Sequence, residues 1–221
     1  DHGSRKYLIS SLDQSLKRMK VDYVDVFYSH RYDPDTPLEE TMQALVDIVR
    51  SGKALYAGIS NYPVEAAEYA YNYLRYHDTP CLLHQLKYSI LHRVPENEGL
   101  LQQAKEAGSG FIAFSPLAQG LLTDRYLGGI PEDSRAARDF TLKKSSITAE
   151  LVEKLKKLDE IASDRGQSLA QMALSWVLKD DLVTSVIVGA SSISQLDDNL
   201  QAVQNTDFCE EEIKIINDLT I

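Results

Sequence analysis

The stretch YVDVFYSHRYDPDTPLEETMQALVDIVRSGKALYAGISN, residues 23–61, decides the fold. It opens on an apolar run, Tyr23-Val24-Asp25-Val26-Phe27-Tyr28, that stops at Ser29-His30. β-Branched and aromatic side chains favour an extended, half-buried chain. Thr36-Pro37-Leu38-Glu39 then signals a helix start. Thr36 serves as N-cap, Pro37 takes the first helical position, where its missing N–H costs nothing, and Glu39 closes a capping box. Gly52 ends that helix, because glycine takes the left-handed turn without penalty. Residues 54–59 form a second apolar run, which stops at Ser60-Asn61. Strand, helix and strand in about 40 residues make a βαβ unit, with two parallel strands and a helical crossover.

Outward from this unit the pattern repeats. Upstream, Ser4 is an N-cap for a helix whose Leu8, Leu12, Leu16 and Met19 share one face, with Lys17, Arg18 and Lys20 at its C-terminal end. Downstream, Pro63 opens a helix to about residue 76, and a third strand at 81–86 carries Gln85 near its end. A helix near 99–107 stops at Gly108, and a fourth strand at 111–114 ends in Ser115-Pro116. The strands begin near 23, 54, 81 and 111, a period of about 30 residues, as βα units in a parallel sheet require. A fifth strand, 185–188, ends in Gly189-Ala190-Ser191. It is delayed by a long connection, 117–147, and by helices at 148–164 and 168–179, the second opened by a Ser168–Gln171 capping box. Helices at 193–203 and 210–219 finish the chain.

The class is therefore α/β, with a parallel sheet covered by helices, in one domain over 1–221. A doubly wound sheet would announce a nucleotide site with G-x-G-x-x-G, which the sequence lacks. A (β/α)8 barrel gathers polar residues at the C-terminal ends of its strands. His30, Ser60, Asn61, Gln85, Ser115 and Ser191 stand at such ends, which favours the barrel. Five strands are read where a barrel has eight, so the chain is expected to hold strands 4–8 and their helices.

The composition narrows the function. Lys and Arg number 23 against 33 Asp and Glu, a formal charge of −10. A polyanion such as nucleic acid is not the expected partner. No apolar run approaches the ~20 residues of a membrane span. Two distant cysteines, Cys81 and Cys209, form no metal motif and fit a reduced, cytoplasmic protein.

Individual residues then acquire candidate roles beside ordinary ones. His30 at a strand end can hydrogen-bond a carbonyl, or simply pack. Ser60-Asn61 can grip a carboxamide, or cap the helix that Pro63 opens. Gln85 suits a carboxamide equally, or ties loops together. Phe114 can stack on a planar ring, or fill the core. The 117–147 connection carries Arg125, Arg135 and Arg138. Long connections inside domains are usually functional or mobile, so it reads as a lid over an anion or as a solvated loop. Gly189 to Ser192 precede a helix, where free amides suit an anion. Gln195 and Asn199 share a face of that helix, and a buried Asn there needs a partner.

These motifs together resemble the aldo-keto reductase family, in the subgroup of bacterial L-glyceraldehyde 3-phosphate reductases and potassium-channel β-subunits. The anchors are residues 11–19 (SLDQSLKRM), 25–31 (DVFYSHR), 36–41 (TPLEET), 51–56 (SGKALY), 58–61 (GISN), 115–123 (SPLAQGLLT) and 189–191 (GAS). The resemblance covers essentially the whole chain and matches the C-terminal two-thirds of that family's barrel. It implies reduction of small aldehydes and ketones by hydride transfer from NADP(H), held without a Gly-rich fingerprint. In the family a tyrosine donates the proton, aided by a lysine and an aspartate, while a histidine orients the carbonyl. His30 matches that histidine. Ser60, Asn61 and Gln85 match the carboxamide holders, and Phe114 takes the place of the ring-stacking aromatic. Ser115, Leu117 and Gln119 match the strip along the pyrophosphate, and Arg125 and Arg135 the basic lid residues. Gly189 belongs to the loop before the adenosine group, which Ser191, Gln195, Asp198 and Asn199 match. None of the 12 tyrosines matches the acid's motif. The resemblance places that tyrosine, the lysine and the aspartate on the first three strands, outside this chain, so the chain alone is expected to be inactive. Channel β-subunits tend to carry Asn where His30 stands, which favours the enzyme over a cofactor-sensing subunit. The expected partner is a small carbonyl compound, with self-association left open.

Overall fold

The computed structural model describes residues 2–220 and divides into two compact units. The first runs up to Leu86 and includes Val94–Ile112; the second holds Lys87–Arg93 and the chain from Ala113 onward. The described residues contain five strands, hydrogen-bonded in chain order in one sheet. The α/β class with a parallel sheet stands as read.

In the first unit, α1 (Arg5–Met19) begins where the Ser4 hydroxyl accepts the Tyr7 N–H, and ends at Lys20 in a left-handed conformation. Its buried Leu8, Leu12 and Leu16 pack on Ala44 and Ile48 of α2 (Leu38–Arg50) and on Ala54 of β2 (Ala54–Ser60). Met19 does not join them and is 52% exposed, because the helix ends there and the chain turns away. The start of α2 also departs from expectation. Pro37 takes the N-cap position, and no side chain caps the helix. Thr36, one residue outside the cap, forms no capping box, and its Oγ1 donates to the Asp33 carboxylate 2.8 Å away.

The strand β1 (Val24–Ser29) pairs in parallel with β2, with Ser29 beside Ile59. In turn β2 pairs in parallel with β3 (Cys81–Lys87), with Ser60 beside Gln85. This register brings the ends of three strands level. The register shifts at Gly58, where a Cβ would lie 2.7 Å from the Tyr28 ring and 3.2 Å from the Leu83 carbonyl oxygen. Glycine there lets the Tyr28 ring lie against the sheet. The α3 helix (Val64–Tyr76) follows β2. The single helix expected near 99–107 is α5 (Leu100–Glu106), preceded by a one-turn α4 (Val94–Asn97). Next comes β4 (Gly110–Phe114), whose last two residues belong to the second unit.

In the second unit, the 117–147 connection is no loose loop. Leu121, Leu122, Tyr126, Ala136 and Leu142 are buried, and three 3-10 turns punctuate it. The α6 helix (Ala149–Asp164) starts at the Thr148 cap. The Ser168–Gln171 capping box forms as expected at α7 (Leu169–Val177), which ends two residues early. After β5 (Ser185–Ile187), α8 (Ile193–Leu200) gives way to a 3-10 turn at Gln201–Gln204, and α9 (Glu210–Thr220) ends the described chain. Arg165 gathers this region. Its guanidinium, almost wholly buried, pairs with Glu212, donates to the Asn205 and Asp207 carbonyls, and lies 3.7 Å from the Phe208 ring centroid.

Candidate functional site

Parallel strands end at the same edge of a sheet, so the polar residues that close them converge. In the first unit these are His30, Ser60, Asn61 and Gln85. Asn61 takes a left-handed conformation (φ 56°), which an Asn tolerates better than most residues. Its N–H donates to the Gln85 carbonyl at 3.1 Å, and its Nδ2 donates to the His30 carbonyl at 3.1 Å and to Ser60 Oγ at 3.0 Å. One residue, through its backbone N–H and its side-chain amide, thus ties three strand ends together. Ser60 is buried, Gln85 half-buried and His30 exposed. Beneath them, Ser29 Oγ and Tyr62 Oη lie 2.8 Å apart. Burial pushes the Tyr62 hydroxyl up to about 12, so it stays protonated at neutral pH. A cleft of about 180 Å³ opens beside His30, between Tyr7, Leu8 and Ser11 of α1 and Tyr28 and Ser29 of β1.

The loop after His30 holds a residue that sequence reading passed over. The Asp33 carboxylate accepts hydrogen bonds from Gly3 N–H (2.7 Å), Thr36 Oγ1 (2.8 Å) and Asp35 N–H (3.1 Å). These bonds, the Gly3 amide first, hold its carboxyl below the usual range. The signal was present: an Asp that accepts from the N–H two residues on is a standard turn device.

In the second unit, Phe114 is half-buried, and its carbonyl accepts the Tyr88 N–H. The chain then passes through Ser115, Ala118, Gln119 and Gly120, all at positive φ, with Leu117 between them at φ −92°. Three positive-φ residues in a row fold this segment into a tight turn, in which the Ala118 and Gly120 N–H groups donate to the Ser115 and Leu117 carbonyls. Arg125 is paired at 2.6 Å with Asp133, whose carboxyl this holds below its usual range, while Arg135 is exposed. Gly189 is exposed in the loop before α8. Gln195 Oε1 accepts from both Ser191 N–H and Ser191 Oγ. Asp198 accepts from Gln171 Nε2 at 2.7 Å and from Ser168 Oγ at 3.3 Å, so its carboxylate braces α8 against the start of α7. Asn199 is 5% exposed, and its Nδ2 has no partner among the described residues. A buried donor left unpaired is costly, and a ligand with an acceptor atom would satisfy it. The structure thus joins His30, Ser60, Asn61 and Gln85 in one unit. The strip from Phe114 to Gln119, the arginine connection and the Ser191–Asn199 group lie in the other. In the first unit, neutral side chains that both donate and accept stand at the strand ends and suit a carboxamide, which itself carries a donor and an acceptor.

A parallel α/β sheet with polar residues at its strand ends defines a class, and comparison with known proteins gives it a family. The model of the Aldo/keto reductase family matches residues 1–221, and the chain belongs to that family. It is 52% identical over 219 residues to the L-glyceraldehyde 3-phosphate reductases of Escherichia coli K12 and O157:H7, matching 97% of this chain and 63% of theirs. It is 35% identical to a potassium channel β-subunit-like protein of Schizosaccharomyces pombe, over 95% of this chain and 62% of that one. The crystal structure of a thermostable aldo-keto reductase with the inhibitor epalrestat superimposes with a TM-score of 0.76 at 30% identity, covering 99% of this chain and 68% of that one. The chain therefore spans somewhat less than two-thirds of the length of these curated relatives.

Proposed function

We propose that the protein is an NADPH-dependent reductase of small aldehydes and ketones, with glyceraldehyde 3-phosphate and methylglyoxal as candidate substrates. The observation that carries this reading is the hydrogen-bonded group His30, Ser60, Asn61 and Gln85 at the strand ends. In it, His30 orients the substrate carbonyl by a hydrogen bond. Ser60, Asn61 and Gln85 hold the carboxamide of the nicotinamide, and Phe114 stacks on its ring. Ser115, Leu117 and Gln119 follow the pyrophosphate under the arginine connection. Ser191, Gln195, Asp198 and Asn199 take the adenosine end, with Gly189 leaving room for it. Bound NADPH supplies the hydride. Rate then comes from holding the carbonyl near that donor in a fixed geometry. The proton donor, a tyrosine with its lysine and aspartate, belongs in this proposal to the part of the relatives' length that the chain does not span. The 221 residues alone are then expected to bind cofactor weakly and turn over little. The proposal extends to one cytoplasmic domain, with self-association left open.

The test is NADPH binding and aldehyde-dependent NADPH oxidation by the protein expressed at the length of its relatives. Oxidation with a panel of small aldehydes supports the reading; neither binding nor oxidation overturns it. A second reading, a cofactor-sensing subunit, draws on the likeness to the channel β-subunit-like protein. Tight NADPH binding with turnover at background would favour it.

A further inference from the structure

The loop that follows His30 is fastened at its centre by the Asp33 carboxylate. Residues 30–36 have no helix or strand, and His30, Arg31 and Asp35 are exposed, while the Tyr32 ring packs edge-on against Tyr62 at 5.7 Å between centroids. Asp33 supplies the hydrogen-bonded hold. Its carboxylate accepts from Thr36 and Asp35 within the loop, and from the Gly3 N–H across 30 residues of chain. On the other side of that junction, Gly3 offers its carbonyl to Thr41 Oγ1 at 2.9 Å, and the Arg5 N–H donates to Glu40 at 2.9 Å. The backbone leading into α1 is thus stitched both to the His30 loop and to the first turn of α2. The junction is tight: a Cβ on Gly3 would lie 2.6 Å from Thr41 Oγ1 and 3.1 Å from Asp33 Cβ. From the other end, Asn61 Nδ2 holds the His30 carbonyl.

We propose that Asp33 is a positioning residue for His30: its carboxylate clasps the His30 loop to the backbone before α1 and so sets where the imidazole stands. Three acceptor bonds on one anion are short and directional, and an amide in its place must lose at least one of them, since its nitrogen can only donate. The catalytic meaning of this clasp rests on the reductase reading. The clasp itself does not.

The test is the ring nitrogen signals of the histidine-labelled 221-residue chain, in the wild type and in two variants that break the clasp from opposite sides. Asp33→Asn removes an acceptor, and Gly3→Ala forces the junction apart with no change of charge. Both are expected to move the His30 ring signals in the same direction. The buried His84 signal should stay in place and report an intact fold. His30 signals that superimpose on the wild type in Asp33→Asn, while the Gly3 amide signal of a uniformly nitrogen-labelled sample has moved, would overturn the proposal. Should both variants lose the His84 signal, Thr36→Val, which removes only one of the three bonds, decides it by the same two signals. Turnover is a separate reading, made on the protein at its relatives' length. There Asp33→Asn is expected to lower kcat/KM on the order of tenfold to a hundredfold, with the cofactor dissociation constant unchanged and partial recovery in Asp33→Glu. A wild type with no turnover counts against the reductase reading alone, because the ring signals do not depend on it.

Discussion

Single residues show how closely local chemistry is matched to place. Gly58 is required by contact rather than by conformation, because the Tyr28 ring fills the space a Cβ would take and the Leu83 carbonyl closes the other side. Gly58→Ala is therefore expected to destabilise the protein by about 1–3 kcal/mol, as overpacking generally does. A urea titration of the variant reads this directly, and an unchanged midpoint would refute it. Cys81, buried beside Ser109, has its thiol pushed up to about 11 by burial, so it is a poor nucleophile at neutral pH. Cys209 is exposed. The two cysteines thus differ in accessibility, which sequence spacing does not reveal.

At the scale of elements, the strands and helices lie within a few residues of their expected bounds, because each is marked locally. Apolar runs set the strands, and Ser4 and Ser168 cap helices as read, while Thr148, read as the first helical residue, also caps. Thr36 failed as a cap although its signature was as good. The helix starts one residue later than read, so Pro37 holds the cap position and Thr36 stands outside the first turn, where its hydroxyl donates to the Asp33 carboxylate. The helix expected over 193–203 breaks into a 3-10 turn after Leu200. There α7 intrudes, as Ser175 Oγ donates to the Ala202 carbonyl. The cap that did form gives a measurable expectation. Ser168→Ala removes the acceptor for the Gln171 N–H and the hydroxyl that reaches Asp198, and should cost about 1 kcal/mol in thermal or urea unfolding. Ser168→Gly, which keeps the backbone easy to turn, should cost less.

Across the whole molecule, acid stability has a fully buried contributor beside the bonded carboxylates such as Asp33 and Asp133. His84 is fully buried on β3, 2.7 Å from Tyr71 Oη through Nδ1, and its Nε2 has no partner among the described residues. Burial lowers its pKa to about 3. An unfolded histidine titrates near 6.5, so below that pH the unfolded chain binds a proton that the folded chain refuses. Stability from this residue is intact above about pH 6.5 and falls as pH drops toward 3, by up to about 1.4 kcal/mol per pH unit. Urea midpoints at neutral pH and near pH 5 should therefore diverge more in the wild type than in His84→Gln. Equal divergence would assign acid sensitivity to the carboxylates instead.

The candidate site was partly legible for the same reason that the elements were. His30, Ser60, Asn61 and Gln85 each end an apolar run, so their common edge follows once the strands are parallel. The roles of Asp33, Gln171 and Arg165 were not legible, because their partners lie 27 to 47 residues away in sequence: Gly3 for Asp33, Asp198 for Gln171, Glu212 for Arg165. The sequence by itself determined the α/β class, the order of the elements, most helix caps and the family, since all of these are written in short-range periodicity and local motifs. The tertiary structure alone decided which hydroxyl caps and which clasps, that the 117–147 connection has a buried interior, and that Asn199 keeps a donor unpaired among the described residues. Those outcomes depend on which distant groups compete for each hydrogen bond and on which side chains lose water, and neither is fixed until the chain has folded.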